Sequence, residues 1–251
     1  LGFRAEVCEN LRYLTVSSGK RPVSLRLVRL CAPPDLSIPR FRFDPVAWQK
    51  LPWDGASLVF ELDAASRRLA ERAQELLRAS PIATLYELVE PRCLCVNAYR
   101  MLDPHRRREL GVGADDYEGP DWPTCYAEVR RRVEPILRSA AWTYLPLRFE
   151  KADCTTISLA AVGAGASAAL AAWTEAVHGA SGLRNDAMAR DLLKVSFAFE
   201  VFPVEGENAQ QARRDLVREI TGLLSKEWGT AELCCPLLAC WRTHTEYEPY
   251  G

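Results

Sequence analysis

Two stretches constrain the fold of this chain more than any others. Residues 92–101 (RCLCVNAYRM) and 191–204 (DLLKVSFAFEVFPV) both read as strands, and both carry polar residues among apolar ones at alternate positions. Each follows a strand and a helix. Residues 55–62 (GASLVFEL) read as a buried strand. A helix over 64–79 follows, capped by Asp63, with Leu69, Ala73, Leu76 and Leu77 on its apolar side. In the second half, strands at 147–151 and 154–160 lead to a helix over 167–177. The step from Gly55 to Cys95 equals the step from Cys154 to Lys194, 40 positions in each case. Sequence identity between the halves is negligible, so the repeat lies in spacing and in where polar residues interrupt the apolar runs. The pattern predicts an α+β chain with two related halves.

The remaining segments are weaker signals. Residues 1–50 read as irregular, with a short strand at 26–30 and a loop at Pro33, Pro34 and Pro39. They are expected to form an N-terminal extension (1–50) packed on a core of residues 51–251. A helix is predicted over 123–138, kinked or cut short by Pro135. An amphipathic helix is predicted over 208–227, with Leu216, Ile220, Leu223 and Leu224 on one face. Short strands are predicted at 233–235 and 238–241.

Charge and cysteine usage exclude several functions. Lysine plus arginine is 32 and aspartate plus glutamate is 33, so no basic excess exists to grip nucleic acid. The arginine runs 106–108 and 130–132 therefore read as solvated faces. The acidic segment 115–121 lacks the spaced ligands of a calcium loop. The 9 cysteines are irregularly spaced, and Cys234, Cys235 and Cys240 do not match zinc-site spacing. No metal and no cofactor are expected, and free thiols point to a cytoplasmic location. Residues 157–173 carry no charge but are mostly Ala, Gly and Ser, and fall short of the roughly 20 residues of a membrane span. No membrane partner is expected. The sequence starts at Leu1 rather than Met, which leaves open whether residues precede it. The expected partner is a small-molecule substrate, and the expected state is a monomer or weak dimer.

Four segments carry a family resemblance. These are Gly55, Ala56 and Ser57 with the apolar residues after them, then 91–102, 192–204 and 241–249 (WRTHTEYEP). In order and spacing they resemble the two-histidine (2H) phosphoesterase superfamily, close to a branch found in fungi and bacteria, over residues 52–250. The resemblance implies a bilobal fold: two pseudo-symmetric antiparallel-sheet lobes with flanking helices around a central groove. In that family each lobe supplies a His-x-Thr or His-x-Ser motif, and the histidines act as acid and base on a 2′,3′-cyclic phosphate or a 2′-5′ phosphodiester. Here the first motif position holds Cys95 and Asn97, and the second holds Lys194 and Ser196. None of the three histidines, His105, His178 and His244, falls in either motif. His105 and His178 read as solvated or capping residues, whereas His244 lies in the C-terminal signature and is expected near the groove.

The replaced residues define the expected chemistry. Strand alternation puts Cys93, Cys95 and Asn97 on one face, and Lys194 and Ser196 on one face of the other strand. Lysine is protonated in water, a thiolate needs a stabilising cation, and asparagine has no proton to exchange. Ordinary phosphodiester cleavage is not expected. The expected catalytic residues are Lys194, as electrostatic anchor or general acid, and Cys95, as a weak nucleophile or merely a small apolar wall. Asn97, Ser196, Tyr99 and His244 are expected to bind the substrate. Positioning and polarisation of this kind suit a cyclisation or isomerisation of a small organic molecule, which the branch's distribution links to fungal specialised metabolism. Two alternatives stand beside it: a non-catalytic binder of an anionic or nucleotide-like ligand, and an atypical cyclic phosphodiesterase. Tyr99, Phe197 and Phe199 either line the groove or pack the core.

Overall fold

The computed structural model describes residues 4–8, 11–18, 21–26, 43–44, 49–50, 52, 54–103, 121–138, 145–183, 193–233, 236–243 and 245–249. The chain divides into two units, Leu1–Arg40 and Phe41–Gly251. The first unit holds β1 (Arg4–Cys8), β2 (Leu11–Ser18) and β3 (Arg21–Arg26), an antiparallel sheet in that order. This corrects the irregular reading of the N-terminal residues. The run LRYLTVSS is rich in β-branched and aromatic residues, and a Gly-Lys pair follows it, which is the strand-and-turn signal that was available. Of the strand expected at 26–30, all but Arg26 lies outside the described residues.

The second unit opens with a two-stranded pair, β4 (Phe43–Asp44) and β5 (Gln49–Lys50). Strand β6 (Gly55–Glu61) follows, then helix α1 (Ala64–Ala79). The Asp63 carboxylate accepts from the Ala65 and Ser66 amides at 2.9 and 2.8 Å, so the predicted cap is in place. A short strand, β7 (Tyr86–Leu88), precedes β8 (Cys95–Leu102). Helix α2 (Trp122–Leu137) starts on Asp121, whose carboxylate accepts from Thr124, and ends two residues past Pro135. Strands β9 (Leu145–Ala152) and β10 (Thr156–Ala161) form a hairpin, and α3 (Gly163–Ser181) follows. Helix α3 starts four residues earlier than predicted, since the Ala-rich run favours helix and needs no cap to extend. It ends at Gly182, whose φ of 68° lies in the left-handed region that glycine enters without strain.

The apolar run 191–204 is two strands rather than one. β11 (Leu193–Ser196) joins the main sheet, and β12 (Ala198–Glu200) pairs with β7. The break falls at Phe197, fully buried, whose amide donates to the Thr155 carbonyl at 2.9 Å. Helix α4 (Glu207–Glu227), β13 (Thr230–Leu233), β14 (Leu237–Trp241) and β15 (Tyr247–Pro249) complete the unit. Eight strands form one sheet, in the order β13-β9-β10-β11-β8-β6-β14-β15, and every pairing in it is antiparallel. The unit is therefore α+β. Helices α2 and α3 pack on each other, as do α1 and α4. Trp173 of α3 meets Phe60 of β6 and Tyr99 of β8, which marks the sheet face buried under α3. Among the described residues, no helix is long and apolar enough to cross a membrane.

Candidate functional site

The two strands that carry the expected site residues are neighbours at the middle of the sheet. Asn97 on β8 stands directly opposite Lys194 on β11, and Val96 opposite Val195. Directly opposed residues share a face, so Asn97 and Lys194 do. Alternation then brings Cys95 and Ser196 to that same face. A cavity of about 230 Å³ opens over it, lined by Cys95, Asn97 and Ser196 together with Ser57 and Arg100. Its apolar walls include Trp241, Phe199, Leu102 and Val89. Three expected site residues thus meet in one cavity. Lys194 is half-buried between Asn97 and Ser158 and is not among the residues lining it. His244 lies outside the described residues.

Tyr99 is elsewhere. It is 1% exposed, its hydroxyl donates to the Leu183 carbonyl at 2.6 Å, and its ring meets Trp173 edge-on. The expectation that it binds substrate is corrected by the strand itself. Val59 pairs with Asn97 and Leu58 with Tyr99, so Ala98 is an extra residue on β8. Such a bulge turns the next side chain to the opposite face. Tyr99 therefore enters the core, and Arg100, paired with Ser57, takes its place on the cavity wall. An Arg100 Nη donates to the Asp103 carboxylate at 2.6 Å; Asp103 is only 6% exposed, which fixes the guanidinium.

The thiols are held neutral. Burial pushes the Cys95 thiol up to about 12, although a hydrogen bond with the Tyr247 hydroxyl pulls in the other direction. Burial also raises Cys93, whose sulfur accepts from the Tyr247 amide at 3.4 Å and contacts its carbonyl at 3.7 Å. Cys95 is thus a protonated wall residue at neutral pH. Of the two roles expected for Cys95, burial favours the small apolar wall over the nucleophile, which would need its thiolate stabilised.

One residue outside the strands ties two cavity-bearing segments to α1. Gln74, on the buried side of α1 and 1% exposed, donates from its side-chain amide to the Val89 carbonyl at 2.6 Å and the Phe197 carbonyl at 2.9 Å. Those segments carry Val89, Ser196 and Phe199 to the cavity. The sequence signal was a glutamine on the apolar side of an amphipathic helix, where a buried amide must find partners. Among the described residues, no group of three or more His, Cys, Asp or Glu is placed to hold a metal ion.

No protein-family model matches the chain, and no curated protein matches it in sequence. Among solved structures, the fold is similar to a conserved protein of unknown function, ATU0111, from Agrobacterium tumefaciens. The TM-score is 0.65 at 13% identity, over 83% of this chain and 89% of that one. The likeness is one of fold.

Proposed function

We propose that this chain is a divergent member of the 2H phosphoesterase fold that has lost phosphodiesterase chemistry and uses its cavity to bind a small organic anion. The sheet order supports the bilobal reading. It divides into β13-β9-β10-β11 and β8-β6-β14-β15, and each half contains a strand, a helix and then a central strand in that chain order, β10-α3-β11 in one and β6-α1-β8 in the other. The two central strands are the ones at which the family resemblance expects its histidine motifs.

The observation that carries the functional reading is the exchange of chemistry on the cavity wall. Arg100 supplies a permanent charge with forked donors, and Asn97, Ser57 and Ser196 supply hydrogen-bonding groups around it. The thiol at the first histidine position is held protonated. Such a wall binds and orients an anion, and Cys95 provides no proton exchange near neutral pH. The test is a thermal-shift screen of small carboxylates and phosphates, with product analysis on every hit. The expected result is stabilisation without product. Rapid opening of a 2′,3′-cyclic nucleotide would overturn it.

A second reading, a cyclisation or isomerisation of the bound anion, is supported by the placement of Lys194 directly across from Asn97, a cavity-lining residue, and requires the lysine to reach in from beside the cavity. On that reading Lys194→Ala abolishes turnover of a bound substrate with little change in melting temperature. A variant that keeps full turnover removes Lys194 from the chemistry.

A further inference from the structure

The apolar end of the cavity has a shape of its own. Trp241 on β14 pairs with Gly55 on β6, and Gly55 lies against β8, where a Cβ would come 2.8 Å from the Leu102 carbonyl oxygen. Adjacent strands are about 4.8 Å apart, so Trp241 and Leu102 flank a residue that has no side chain, across about two strand spacings. All three residues line the cavity. The Trp241 ring is backed by Tyr247, with centroids 5.0 Å apart and planes at 57°. One step along the same strands, Ser57 pairs with Arg100. The result is a slot with an indole on one side, the β8 backbone at Leu102 on the other, and a guanidinium with a hydroxyl at its end.

We infer that the ligand is a single-ring aromatic anion, its ring on Trp241 over Gly55 and its carboxylate or phosphate on Arg100 and Ser57. The inference rests on reading the cavity as an anion site. A cavity of about 230 Å³ falls below the roughly 300–1,000 Å³ typical of pockets for larger ligands, so one ring with its acidic group suits it. A saturated ring of the same size fills the slot but gains no stacking, which sets the expected preference at about fivefold.

The test is calorimetric titration with benzoate, phenyl phosphate and cyclohexanecarboxylate on the wild type, Trp241→Leu, Trp241→Phe and Arg100→Gln. Benzoate is expected to bind about fivefold more tightly than cyclohexanecarboxylate. Trp241→Leu should erase that preference, Trp241→Phe should retain it, and Arg100→Gln should weaken every anion. The relative affinity of benzoate and phenyl phosphate identifies the acidic group. Equal or tighter binding of cyclohexanecarboxylate to the wild type overturns the aromatic assignment. If Arg100→Gln still weakens both ring acids in that case, the anion site stands without it. Failure of all three anions to bind the wild type overturns both. The wild-type comparison decides the aromatic question even if a tryptophan variant does not fold.

Discussion

At the scale of single residues, the site is set by side chains whose value comes from their neighbours. Gly55 is required by space: a Cβ there would meet a backbone oxygen at 2.8 Å, and a backbone atom cannot swing aside. Gly55→Ala is expected to destabilise by about 1–3 kcal/mol, read as a lower urea midpoint. Gln74→Leu keeps the volume but leaves the buried Val89 carbonyl without the donor Gln74 supplied, at an expected cost of about 1–3 kcal/mol. The Phe197 carbonyl retains the Val89 amide, so the loss concentrates on one group. The sequence identified Cys95, Asn97 and Ser196 because strand alternation is a local rule. It misplaced Tyr99 and overlooked Arg100 because a bulge at Ala98 is decided by pairing with β6, which no local pattern reveals. Trp241 and Phe199 came to the wall from β14 and β12, segments far from β8 in sequence.

Among the elements, helices were the most legible. Caps at Asp63 and Asp121 and the apolar faces of α1 and α4 are written in consecutive residues. The join between α2 and α3 was not. Arg132, within a run read as solvated, donates one Nη to the Ser181 carbonyl at 2.8 Å and its Nε to Glu128 at 2.6 Å, so it closes the C-terminal end of α3. Arg131 is paired with Glu128 but exposed. Arg132→Met is expected to lower the melting temperature clearly, whereas Arg131→Met should change stability by less than about 0.5 kcal/mol. Hydrogen bonds from Arg131 and Arg132 hold the Glu128 carboxyl down at about 2. Its folded value is depressed, so its contribution is present above the ordinary 4.5 and is lost as pH falls toward 2. Asp153 acts in the same direction. Burial opposes its charge, but Thr155 and Thr156 donate to it at 2.6–2.8 Å and keep its carboxyl below the usual value. Melting temperature followed from neutral to acidic pH should fall in that window, and Glu128→Gln should flatten part of the loss.

Taken as a whole molecule, the second unit is an eight-stranded antiparallel sheet whose centre is the cavity floor. The α+β class was legible because strand and helix signals are each written in consecutive residues along the chain. The joining of β11 to β8, which brings Ser196 to the face that carries Asn97 and Cys95, is a long-range pairing that spacing could only suggest. Burial raises several thiols at once: Cys95 and Cys240 to about 12 from 9.0, with Cys93 and Cys154 also raised. The folded chain keeps protons that the unfolded chain releases. Stability is therefore complete below about 9 and is expected to fall as pH climbs toward 12, which urea midpoints across the alkaline range would show. The most direct measurement of the central claim is a crystal structure grown with a saturating small aromatic or aliphatic carboxylate. The account predicts density for the carboxylate against Arg100, over the floor that carries Asn97, Cys95 and Ser196. A carboxylate bound elsewhere, with this cavity empty at saturation, would contradict it.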